Sequence, residues 1–398
     1  MIEAKTPAFW RATLALCCGS FMIFSNLYVT QPLLPEFQTA FNISTLEANA
    51  SLAVTTLMLG ISLLIYGPLS DAIGRRVIML ATMSGTLLIT LALAWVPNYT
   101  SLLILRALQG FLLGGLPAVA IAYMGDEFSK KAMALAVGIY ISANSLGGIS
   151  GRLFSGFLAD AFNWRASFIG AAVISIVCLS FFWWALPKSK NFQPQKPSLT
   201  RMLNDLFAHL KNPLLLFVYI LGGLNFFIFI NQYSYVTYLL SADPWLLSSS
   251  FLGMLFLTYL TGTWAASMSG RIALVLAQPL GMAMGVGLLM LGSLVMLIPS
   301  VWAIVGGLLI NSFGFFFCHS NITSWVSRQA QTARASASAL YLVFYYVGAS
   351  TGGFYLDPFW QAMQWQGVIL GSLLVFVVTL GISLWLWKQD PRTLSQLA

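Results

Sequence analysis

Gly67-Pro68-Leu69-Ser70-Asp71-Ala72-Ile73-Gly74-Arg75-Arg76 stands between two long apolar runs, 46–67 and 77–96. The turn is too short to be a domain, and its acid and two bases cannot enter hydrocarbon unpaired. A charged hairpin turn between two apolar runs, each long enough to cross a bilayer as a helix, fixes the class of fold. Over the whole chain of 398 residues, 59% are hydrophobic and 8% charged. Soluble domains carry roughly a quarter charged residues, so lipid is the solvent for most of this surface.

About 20 mostly apolar residues span a bilayer as a helix. Such stretches occur at 10–34, 46–67, 77–96, 100–124, 133–158, 165–186, 213–240, 246–268, 272–298, 300–326, 336–356 and 364–387. Backbone polar groups in lipid must be satisfied internally, which leaves helices or closed barrels. These lengths exclude strands. An all-α integral membrane protein with twelve spans is expected, with the bilayer as its permanent partner.

The basic residues orient it. With the N-terminus in the cytoplasm, that side receives Lys5, Arg11, Arg75, Arg76, Lys130, Lys131, Lys188, Lys190, Lys196, Arg201, Lys211, Arg271, Arg328, Arg334, Lys388 and Arg392, while the outer side receives Arg165. The positive-inside rule selects this orientation, with both termini cytoplasmic. The net charge of +8 is mostly this signal, and its scatter over short loops does not suit nucleic acid. The first apolar run exceeds a signal-peptide core and reads as a retained helix. Cys17, Cys18, Cys178 and Cys318 lie in helices without disulfide or metal spacing. No metal, cofactor or phosphate loop is expected, and no polar catalytic set lies at depth, so neither an enzyme nor an ATP-driven pump is indicated.

The polar stretch 187–212, with Pro187, Pro194 and Pro197, divides the chain. The expected organisation is a six-helix bundle over 1–186, a cytoplasmic linker over 187–212 and a second bundle over 213–398. The halves also repeat. Tyr140–Gly151 reads YISANSLGGISG and Tyr341–Gly352 reads YLVFYYVGASTG; at the same offset Trp164 falls on Trp365 and Gly170 on Gly371. Duplicated halves around a midplane site are the architecture of secondary transporters. Gly270-Arg271 answers Gly74-Arg75, but Ser267 stands where Asp71 does, so the acid works in one half only.

The turn resembles the signature loop of the major facilitator superfamily, G-x-L-a-D-x-x-G-R-[RK], at Gly67, Asp71, Gly74, Arg75 and Arg76. The resemblance implies that fold, alternating access, and a charge latch at the cytoplasmic gate made by Asp71, Arg75 and Asp126. Leu105-Arg106-Ala107-Leu108-Gln109-Gly110 resembles the superfamily's R-x-x-Q-G motif. An arginine inside a span faces the bundle interior or snorkels to the interface. Asn144–Arg152, with Gly147, Gly148 and Gly151, is similar to the glycine-rich fifth-helix motif of proton antiporters, which implies export, although Leu146-Gly147 replaces its Gly-Pro pair. With Gln31-Pro32-Leu33-Leu34-Pro35, it resembles the bacterial acriflavine-sensitivity and arabinose-efflux-like branch, and hence an inner-membrane location.

Further polar residues could line a cavity: Asn26, Tyr28, Gln31, Asn225, Asn231, Gln232, Tyr235, Asn311, Asn321, Tyr345 and Tyr346. Each is individually as suited to helix–helix hydrogen bonding. No acid sits mid-helix. Glu36, Glu47 and Asp160, at outer helix ends, are the nearest proton carriers, followed by His319, the one intramembrane group that ordinarily titrates near neutral pH. Arg106 and Arg152 suit an anionic substrate. The expected function is secondary transport of a small molecule, with proton-coupled efflux of a drug, sugar or organic anion by a monomer. Uptake or facilitated diffusion of a metabolite is the alternative. A transport-dead sensor or scaffold is the rival of another class, but no stretch reads as a soluble signalling domain.

Overall fold

A computed structural model describes residues 1–194, 199–273 and 275–390. Lys196, Pro197 and Arg392 of the orientation and linker readings lie outside them. Among the described residues the secondary structure is helical apart from one isolated bridge, Ile2 to Phe128.

The first span is broken. Helix α1 (Pro7–Tyr28) starts under a Thr6 cap and ends at a short 3-10 turn, Gln31–Leu33, before α2 (Leu34–Phe41). Pro32 and Pro35 lie in this break, where missing N–H groups cost least. Helix α3 (Thr45–Ile73) opens with a capping box in which Ser44 and Glu47 exchange hydrogen bonds. It stops at Gly74, whose φ of 116° and ψ of 139° suit a residue without a Cβ. Helix α4 (Arg75–Leu93) starts immediately after it. Then follow α5 (Tyr99–Leu113), α6 (Gly115–Glu127), α7 (Lys130–Ala161) and α8 (Trp164–Ala185).

A helix, α9 (Leu199–Lys211), lies within the stretch expected as a connector. Beyond it come α10 (Pro213–Ser241), α11 (Ser249–Met254), α12 (Tyr259–Ile272), α13 (Gln278–Val295), α14 (Val301–Gln329) and α15 (Arg334–Gln389). Eleven helical stretches among the described residues are long and apolar enough to cross a membrane. The last has 54 residues, about 80 Å if straight, against a hydrocarbon core of about 30 Å. It is not straight. Gln364 leaves helical geometry at φ 50°, ψ −136°, and the Tyr355 hydroxyl donates to the Gly371 carbonyl at 3.1 Å. The chain folds back there, which gives twelve spans.

Two compact units result. Unit 1 comprises Met1–Leu199 with Leu247–Met254; unit 2 comprises Thr200–Leu246 with Leu255–Ala398. The repeated glycines pack alike in each. In unit 1, a Cβ on Gly147 or Gly151 of α7 would collide with the Phe21 and Ser25 carbonyls of α1. In unit 2, Gly348 and Gly352 of α15 press in the same way on Gly223 and Phe227 of α10. Small residues let the backbones of these helices touch.

Candidate functional site

The charged turn comes first. Arg75 Nε donates to Asp126 at 3.1 Å, and its Nη1 donates to the Ser70 hydroxyl at 2.7 Å and to Asp71. One guanidinium thus joins the end of α3, the start of α4 and the end of α6. The Arg75 side chain is 13% exposed, but Asp71 and Asp126 are 41% and 31% exposed. Water screens the cluster, so it can be made and broken at modest cost.

The other basic residues near this end do different work. A helix leaves its last four carbonyls without partners. At the end of α8 side chains supply them: Arg76 takes Trp183 and Leu186, Arg11 takes Trp184 and Ala185, and Tyr123 takes Pro187. Glu127, buried at the end of α6, accepts from the backbone N–H groups of Lys190 and Asn191 at 2.8 and 2.9 Å. The Phe192 ring then lies 5.7 Å from the Arg75 guanidinium. The chain leaving α8 is therefore strapped onto the turn that carries Asp71 and Arg75. Sequence reading placed Arg76 in the turn but gave no sign of its partner 110 residues away, and it passed over the strap-holding role of Glu127.

Deeper in unit 1, two buried arginines close on the break in the first span. Arg106 is 0% exposed, which excludes snorkelling. Its Nε donates to Ser51 O at 3.3 Å, Nη1 to Asn26 O at 3.0 Å and to Gln109 Oε1, and Nη2 to Leu27 O at 2.8 Å and Thr30 Oγ1 at 3.4 Å. A guanidinium has five N–H donors, and all five are used within the unit. Asn26 and Leu27 are carbonyls left orphaned by the end of α1, where the helix dipole presents partial negative charge. Arg106 is thus a cap on a broken helix, and in this arrangement it has no donor left for an anionic substrate. Gln109, Thr90 and Asn26 extend the node, with Thr90 Oγ1 to Asn26 Oδ1 at 2.7 Å and Gln109 Nε2 to Thr90 Oγ1 at 2.8 Å. The three-residue spacing of Arg106 and Gln109 placed both on one face of α5, but Thr90 carried no signal.

Arg152 meets the same break from α7. Its Nε donates to Gln31 Oε1 at 2.8 Å, its Nη1 to Gly148 O at 2.9 Å, and its guanidinium lies 3.8 Å from the centre of the Tyr28 ring. Three residues singled out separately, Arg152, Tyr28 and Gln31, are one cluster. Two of the three candidate acids meet one helix. Glu36 accepts from the Ser249 hydroxyl and Asp160 from the Ser250 hydroxyl at 2.7 Å, both on α11. Glu47, the third, forms the capping box at the start of α3.

In unit 2, Gln232 Nε2 donates to Ser293 at 2.9 Å and Asn311 Nδ2 to Gln232 Oε1 at 2.8 Å. This neutral node joins α10, α13 and α14 where unit 1 has Gln109, Thr90 and Asn26. Asn231 donates to Phe227 O and Ala349 O, Tyr235 to Gly353 O, and Asn321 to Phe317 O, so these three side chains are used within the unit. Asn225 donates to Cys318 Sγ at 3.3 Å. The other candidates gather in an aromatic cluster. Phe226 stacks on Tyr345 at 3.7 Å and 13°, Tyr346 meets Phe226 edge-on, and His319 Nδ1 lies 2.6 Å from the Tyr341 hydroxyl. Among the described residues no group of three or more His, Cys, Asp or Glu is placed to hold a metal.

Comparison with known proteins agrees with this architecture. The family model described as Major Facilitator Superfamily matches residues 16–353. The chain is 35% identical over 379 residues to the inner membrane transport protein YnfM of Escherichia coli (strain K12), covering 95% of this chain and 91% of that one. It is 26% identical over 219 residues to the multidrug resistance protein MdtG of Klebsiella pneumoniae (strain 342), about half of each chain. Among solved structures, peptide transporter POT in complex with sulfate superposes with a TM-score of 0.77 over 95% of each chain at 15% identity, a likeness of fold alone.

Proposed function

Since the chain belongs to the major facilitator superfamily and is a multi-pass membrane transporter of small molecules, not an enzyme, we propose that it exports its substrate against protons by alternating access. The observation that carries the reading is the shared guanidinium of Arg75. An ion-pair set that spans three helix ends, half in water, can be whole in one state and open in the other at modest cost. Export is supported by the glycine-lined contact of α7 with α1 and by the multidrug-resistance name of the MdtG relative.

Proton coupling is assigned to Glu36 and Asp160, the two outer acids that hold serine hydroxyls. Arg152, with Tyr28 and Gln31, is assigned to substrate or to tuning those acids, because an arginine cannot itself give up the proton. Arg106 supports the site by fixing the break. The two bundles, 1–186 and 213–398 with the connector 187–212, would move as bodies, with both termini in the cytoplasm of a bacterium and the monomer as the working unit. The test is substrate flux in proteoliposomes under an imposed pH gradient, for the wild type and for Glu36→Gln and Asp160→Asn. Flux that follows the gradient in wild type and ignores it in the variants is expected. Flux indifferent to the gradient in wild type would replace the proposal with facilitated diffusion.

A further inference from the structure

His319 in α14 is half-buried, and Tyr341 in α15 is 2% exposed. The Tyr341 hydroxyl has one hydrogen-bond partner among the described residues, Nδ1 of His319 at 2.6 Å. A buried hydroxyl carries a proton that must be donated somewhere. Nδ1 is the acceptor within reach, so Nδ1 is the bare nitrogen and the ring proton is on Nε2. Nε2 makes no hydrogen bond to any described residue, and the ring that bears it is partly accessible. The pair therefore presents one N–H donor of fixed position and direction.

That donor sits in a wall of rings. His319 lies 5.9 Å from Phe315 with planes 17° apart and 5.1 Å from Tyr345. Tyr345 stacks on Phe226 and Phe226 on Phe315; Phe315 in turn stacks on Phe229 at 3.9 Å and 4°. The rings come from α10, α14 and α15, so three helices of unit 2 build the wall together. Stacked rings are ordinary core packing, but a fixed donor left unused beside them does nothing for packing. Phe226, Phe315 and Phe229 are buried, which leaves Tyr345 and His319 half-buried at the edge of the wall, and a flat molecule that stacks on them gains contact that a saturated one of equal size does not.

We propose that His319, oriented by Tyr341, and the half-buried ring of Tyr345, backed by the buried rings of Phe226 and Phe315, form a recognition patch for a planar aromatic molecule carrying a hydrogen-bond acceptor. The patch names a substrate class for the transporter and in that sense rests on the reading above. His319 is the contact residue, and Tyr341 is a positioning residue that sets the tautomer.

The experiment uses the full chain in lipid nanodiscs, with equilibrium binding of 1-naphthoate, of decalin-1-carboxylate, which lacks the flat ring, and of 1-methylnaphthalene, which lacks the acceptor. 1-Naphthoate is expected to bind about tenfold more tightly than either analogue, the worth of one good hydrogen bond or set of ring contacts. His319→Leu should lose about tenfold in 1-naphthoate affinity, while His319→Gln, which restores an N–H donor, stays within about threefold. The chain has two histidines, His209 and His319, so nitrogen NMR of histidine-labelled protein reads the tautomer directly. Nε2–H with a bare Nδ1 is expected for His319 in wild type, and mixed tautomers in Tyr341→Phe. No binding of 1-naphthoate, an unchanged affinity in His319→Leu, or a Nδ1–H tautomer in wild type each overturns the proposal. Binding is measured without a gradient, so its failure leaves proton-coupled export untouched, and flux indifferent to pH leaves the patch standing.

Discussion

Replacing Arg106 by alanine should unfold the protein far more readily than it should weaken substrate binding. The magnitude follows from the five partners. Ser51 O is a mid-helix carbonyl that also accepts from Thr55 Oγ1, so losing Arg106 costs it little. Gln109 and Thr30 can turn to other partners. Asn26 O and Leu27 O cannot, because they are end carbonyls of α1 in a dry interior. Two buried acceptors left unpaired cost about 1–3 kcal/mol each, and the space left by the side chain adds to this. Relief from burying a charge offsets part of the loss. The net is a destabilisation of about 3–5 kcal/mol, comparable to breaking other buried polar pairs. Arg106→Lys keeps the charge but puts three donors at one point, so it should recover about half of this. The assay is reversible detergent-denaturant unfolding of the purified variants, paired with substrate affinity of the fraction that remains folded. An Arg106→Ala variant within about 1 kcal/mol of wild type, with its substrate affinity lost, would refute the reasoning and return Arg106 to the binding site.

Asp71→Asn and Arg75→Ala should each abolish transport while changing stability by no more than about 1 kcal/mol, since water screens the cluster; normal flux in both variants would reduce the turn to a topological anchor. Gly151→Val should cost about 3 kcal/mol, because its Cβ would sit 2.5 Å from the Ser25 carbonyl. Gly138→Ala, with no atom within 4 Å of the new Cβ, should be neutral or slightly stabilising in the same unfolding assay; equal losses at the two sites would contradict the close α1–α7 contact. Reporter fusions at Asn98, Lys130, Lys196 and Asp243 should read outside, inside, inside and outside, and a cytoplasmic signal at Asp243 would break the assigned orientation.

The spans, the charged turn and the repeated glycines are all legible in the sequence. Each depends on a property local in the chain: enough apolar length to cross hydrocarbon, a turn too polar to enter it, small residues at a constant offset. One local signal was there and passed over. Ser44-Thr45-Leu46-Glu47 is a capping-box pattern, and it accounts for Glu47 without any proton. The tertiary structure alone decided what the buried charges do. Arg106 and Arg152 look equivalent in sequence, two arginines inside spans. One proves to be fully used as a helix cap and the other to lie over Tyr28 beside Gln31, because the partners that decide this, from Ser51 to Gln31, are 55 to 121 residues away and Tyr28 farther still. The same holds for Glu127 on the strap and for the contact of His319 with a tyrosine in another helix. Membrane crossing answers to composition summed along some 20 residues. Hydrogen bonds answer to distances of about 3 Å between atoms the chain separates widely, and only packing brings those together.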